Sequence, residues 1–92
     1  MQNIPEIAKK LLIASCEYHE ESDIKELFVP VESLIKQYEA NNNKPSEKVY
    51  LLAFNYLVDK KYIRIKKKNP FTGIPDFFEI TALGFDEATR NS

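Results

Sequence analysis

Cys16 and His19 stand three residues apart in a stretch of helical spacing, which puts a thiol and an imidazole within reach of each other. A thiolate beside an imidazole is a known nucleophilic pair. Glu20 and Asp23 follow, adding oxygen donors to the sulfur and nitrogen and extending the stretch to a candidate metal site. The sequence completes neither chemistry. No orienting third group or oxyanion donor can be identified, and no second cysteine or histidine fills a familiar ligand set. The two glycines, Gly73 and Gly84, stand alone, so no phosphate-cradling glycine loop forms. The expectation is a protein that is not an enzyme and carries no metal or cofactor, with Cys16 a small buried residue. Glu20 and Glu21 would favour the charged form of His19, although an ordinary exposed histidine is the simpler expectation.

A second chemistry lies in the basic run. Lys60, Lys61, Arg64, Lys66, Lys67 and Lys68 are six of the thirteen basic residues. Strand alternation sends Arg64, Lys66 and Lys68 to one face, a row able to follow phosphates. The alternative is a solvated strand whose lysines blunt an exposed edge. The formal net charge of −1 excludes a protein that binds any polyanion by bulk attraction. Its distribution is uneven: residues 1–59 hold six basic and ten acidic side chains, residues 60–92 seven basic and four acidic.

Ninety-two residues, 43% of them hydrophobic and only two of them glycine, suit one α+β domain over residues 1–92. A single cysteine and the lack of a charged-then-apolar leader make a reducing cytoplasm the expected compartment. The longest apolar run, residues 49–54, is far too short for a membrane span.

The elements that must position these residues follow from periodicity. Ile4, Ile7, Ala8, Leu11, Leu12, Ala14 and Ser15 form a helical stripe that gives way to a loop near residues 20–25. Residues 26–29 read as a very short edge strand before Pro30. Val31, Leu34, Ile35 and Tyr38 return to the 3.6 period, predicting a second helix to about Glu39. Ser46 is the expected N-cap of a third helix that reaches about Lys60, with Val49, Leu52, Ala53, Tyr56 and Leu57 facing the core. Residues 62–66 alternate as a half-buried strand, and residues 77–81 supply its partner. The intervening residues 69–76 are too long for a tight hairpin. Thr81 caps a short last helix carrying Leu83, Phe85 and Ala88.

That order is similar to the winged helix-turn-helix superfamily. The likeness is carried by Tyr56-Leu57-Val58-Asp59-Lys60-Lys61-Tyr62-Ile63, a helix closing on leucine that turns into an apolar strand. It is also carried by Phe78-Glu79-Ile80-Thr81-Ala82-Leu83-Gly84, a strand entering Thr-x-x-Gly. The resemblance covers roughly residues 5–90 and implies a three-helix core, a small antiparallel β-hairpin wing and a short C-terminal helix. It further implies binding of double-stranded DNA, with the third helix in the major groove and the wing on the backbone or minor groove. Carried over by position, Ser46, Lys48, Tyr50 and Asn55 would face DNA from the helix, among exposed Glu47 and Leu51. Arg64, Lys66, Lys67 and Lys68, with Asn69 and Thr72, would do so from the strand and wing.

Helix three is poor in groups that meet base edges. Leu51, Phe54 and Val58 give it a second apolar side. That side is either covered within the monomer by the first and last helices, or left exposed for homodimerisation or docking of a protein partner.

Overall fold

The computed structural model describes residues 3–21 and 28–90. Along these run α1 (Ile4–Glu21), β1 (Phe28–Pro30), α2 (Val31–Asn41), α3 (Glu47–Asp59), β2 (Ile63–Lys68), β3 (Pro75–Ile80) and α4 (Ala82–Thr89). Among the described residues the architecture is α+β: four helices and one antiparallel sheet of order β1-β3-β2. Asp23 and the first two residues of the expected strand over 26–29 lie outside the described residues.

The apolar stripe of α1 forms as its spacing predicts, burying Ala8, Leu11, Leu12, Ser15 and Cys16. This helix is the scaffold of the domain, packing against α2, α3, α4 and β1. Ser15 is tolerated inside because its hydroxyl donates to the Leu11 carbonyl at 2.7 Å.

β1 is an edge strand, where the missing N–H of Pro30 costs no interior ladder bond. The register pairs Val29 with Phe78 and Ile63 with Ile80. All four side chains are buried, which defines the inner sheet face. Phe28, Arg64 and Phe77 take the outer face by alternation, and all three are exposed.

The core side of α3 differs from the expected stripe. Tyr50, Ala53, Phe54 and Leu57 are buried, whereas Leu52 is 42% exposed and Val49 and Tyr56 are half-buried. Apolar residues surround this helix, so several stripes satisfy the period, and partner shape selects among them. Phe54 reaches Phe78 with ring centroids 5.9 Å apart, and Tyr50 meets Tyr38 edge-on at 6.2 Å. These rings carry the largest apolar areas, and their burial fixes the helix rotation.

Both predicted caps form. Ser46 Oγ accepts from the Val49 N–H at 3.3 Å, and Thr81 Oγ1 accepts from the Gly84 N–H at 3.0 Å. At the C-terminus of α3, the Lys61 N–H donates to Val58 O and the Tyr62 N–H to Leu57 O. This closure requires a left-handed residue, and Lys61 takes that role at φ 64°. The corner is then latched to the other end of the hairpin: Thr81 Oγ1 donates to Lys61 O at 2.7 Å and the Thr81 N–H to Tyr62 O at 3.0 Å. Gly84 completes the join, since any Cβ there would collide with the Tyr62 carbonyl oxygen. Its glycine is demanded by close approach of two backbones.

Candidate nucleic-acid interface

The basic residues of β2 do not form the single row expected from alternation. The pairing of Ile65 with Phe78 is followed by that of Lys67 with Phe77, leaving Lys66 as an extra residue, and the next pair, Lys68 with Pro75, shifts again. Such a bulge re-aims side chains. Lys66 lies 5.8 Å above the Phe28 ring and 3.9 Å from Glu79, so it shares the outer face with Arg64, itself 3.6 Å from Glu79. Lys67 pairs with exposed Phe77 and belongs to the same face. Lys68 is opposite the buried Pro75 and next to Gly73, separated from the other three.

The hairpin turn, residues 69–74, is two residues shorter than the expected loop over residues 69–76 because β3 begins at Pro75 and not at residue 77. Asn69 organises it. Its side-chain oxygen accepts from the N–H groups of Phe71 and Thr72 at 2.8 and 3.3 Å, its N–H donates to Ile74 O, and its carbonyl accepts from the Gly73 N–H. Thr72 Oγ1 accepts from the Ile74 N–H at 3.2 Å, and Gly73 supplies the left-handed backbone at φ 77°. Asn69 and Thr72, anticipated as contact residues, therefore build the turn.

Against Gly73 packs the side chain of Leu51 in α3, which ties the turn to that helix. Lys48 and Asn55 flank Leu51 at one helical turn on either side, and both are exposed. The exposed residues of α3 are Glu47, Lys48, Leu52, Asn55 and Asp59, with Ser46 exposed at its cap. Two carboxylates and a leucine limit what this stripe offers a base edge. Ser46 also has its oxygen engaged as the helix cap.

One expected surface residue, Tyr50, is interior, and so is Phe54, whose side of the helix was expected to be either covered or exposed. Tyr50 is 4% exposed and its hydroxyl donates to Glu39 Oε2 at 2.7 Å, so it stabilises the α2–α3 contact and presents nothing outward. Burial and the Glu39 carboxylate together raise its pKa. Phe54 is fully buried against Phe78, which favours the covered alternative for the Leu51, Phe54 and Val58 side and removes the centre of the docking face. Leu51 and Val58 are half-buried. Both apolar sides of α3 therefore pack at least in part within the monomer, while the stripe from Glu47 to Asp59 stays exposed.

No family model, curated protein or solved structure matches the chain.

The other candidate chemistry fares differently from the basic hairpin. Burial pushes the Cys16 thiol up to about 11, with Glu20 and Glu17 adding to the effect, which is opposite to nucleophile activation. His19 packs edge-on against Phe85 at 5.6 Å, and no hydrogen bond joins it to Cys16 among the described residues. No group of three potential metal ligands forms among the described residues. Likewise, no described helix is long and apolar enough to cross a membrane.

The exposed aromatic at the hairpin tip was not anticipated. Phe71 is 95% exposed, at a position where the sequence reading found only loop. Its signal was present in the neighbouring residues: Asn, Pro, Thr and Gly around a phenylalanine specify a tight turn, which has no interior for the ring to enter.

Proposed function

We propose that this chain is a winged-helix DNA-binding module in which β2, β3 and their turn act as the wing. Arg64, Lys66, Lys67 and Lys68 supply contact with phosphates, and Ser46, Lys48 and Asn55 border the duplex from α3. The carrying observation is the packing of Leu51 on Gly73, which makes the exposed Lys48 and Asn55 continuous with Lys68 and the turn. Lys48, Lys67 and Lys68 make no ion pair among the described residues, leaving their charges available to a polyanion. The two acids in the exposed α3 stripe favour a module whose affinity comes from the wing and whose base readout is modest.

Fluorescence anisotropy of a labelled mixed-sequence duplex across a salt series tests this reading. Binding should weaken steeply with salt, and Lys66→Gln, Lys67→Gln and Lys68→Gln should each lower the log–log slope by about one for a lost phosphate contact. Salt-independent binding, or none at low salt, would refute it.

A further inference from the structure

The phenyl ring of Phe71 is the one large apolar side chain among the described residues that lies almost wholly in water; the other exposed ones retain more than half their cover. Its backbone is not loose. Five hydrogen bonds within residues 69–74 close the turn, Pro70 fixes φ at its own position, and Leu51 anchors Gly73 from below. The ring itself contributes nothing to this network. A rigid support therefore presents a flat apolar group whose immobilisation on binding costs only side-chain torsions.

The charge around it selects the partner. Lys66, Lys67 and Lys68 lead directly into the turn, and Lys67 and Lys68 have no carboxylate partner among the described residues. A target that offers phosphates to these ammonium groups and a flat face to a phenyl ring is a nucleic acid with accessible bases. We infer that Phe71 is a stacking wedge, so that this module favours duplex DNA containing an unstacked or unpaired base over fully paired DNA. This inference rests on the nucleic-acid reading above and specifies the kind of DNA preferred.

The sequence contains no tryptophan, so Phe71→Trp provides a single reporter at the tip. Two labelled duplexes are compared by anisotropy, one fully paired and one with a single unpaired adenine, while tryptophan emission is recorded. The expected result is tighter binding of the bulged duplex, by roughly ten-fold, with quenching as the indole stacks. Phe71→Ala should abolish that preference and keep salt-dependent binding of the paired duplex. Because the ring is unpacked, this variant should unfold at the wild-type temperature.

Binding of both duplexes with equal affinity and unchanged emission would overturn the wedge while leaving the nucleic-acid reading intact. No binding of either duplex would overturn both. Blue-shifted emission on vesicles of equal phosphatidylglycerol and phosphatidylcholine, without a response to DNA, would assign the ring to an anionic lipid surface and refute the inference.

Discussion

Cys16 carries the clearest pH signature among single residues. Its thiol is neutral and buried in the fold, with a pKa raised from 9.0 to about 11. A raised acid gives stability that is fully present below the unfolded value and is lost as pH rises through the folded one. The stability difference between wild type and Cys16→Ala should therefore narrow as pH climbs from 9.0 towards about 11, as measured by urea unfolding at each pH. A constant difference would show that ionisation of this thiol is not linked to unfolding. The residue's helix and its burial were legible in the sequence because α1 has one apolar stripe. The two caps were legible for a similar reason: Ser46 and Thr81 bond to N–H groups three residues onward, and such local chemistry needs no knowledge of the remaining chain. The reason for Gly84 was not legible, since it depends on Tyr62, brought near by the whole hairpin.

At the scale of elements, α3 shows how periodicity loses its power when a helix is apolar nearly all round. The expected inward position of Leu52 is overturned and the open placement of Phe54 resolves to the interior, because side-chain shape against α2 and β3 selects the core face. Phe54→Ala should cost about 3–5 kcal/mol, the range for truncating a buried aromatic. Leu52→Gln should remain within about 0.5 kcal/mol of wild type, as expected of an exposed position. Denaturant midpoints for the two variants test the rotation of the helix, and a larger loss at Leu52 would contradict it. β2 offers the parallel case in a sheet. Its strand character was readable from alternation, but the irregular pairing around Lys66 was not, because a bulge is defined by the partner strand. One extra residue moved Lys67 to the outer face and set Lys68 apart.

Across the whole molecule, the charge asymmetry of the sequence acquires a spatial form through ion pairing. Lys9, Lys10 and Lys36 on α1 and α2 each have a carboxylate within 4 Å, respectively Glu87, Glu6 and Glu32. On the sheet, Arg64 and Lys66 share Glu79, and the lysines nearer the turn have no such partner among the described residues. Glu79 is thus the main local brake on the basic face. Glu79→Gln should raise affinity for a DNA duplex roughly three-fold or more at low salt, with a steeper salt dependence. Its melting temperature should scarcely change, since exposed ion pairs contribute little to stability. Unaltered or weaker binding would mean that the outer sheet face does not meet phosphate.

The Thr81 latch gives the hairpin a kind of autonomy. By holding Lys61 and Tyr62 beside Thr81, it pins both ends of the excursion at its root, before the chain continues into α4. What lies between is a hairpin whose strands are committed to the core through Ile63, Phe78 and Ile80; its tip alone can be lengthened, shortened or exchanged while its attachment points stay fixed on the helical body. Loop-closure entropy hardly resists such change, costing about 0.6 kcal/mol for each doubling of a flexible loop. Insertions beside Phe71 should therefore leave the packing of the helical body and of Ile63, Phe78 and Ile80 undisturbed.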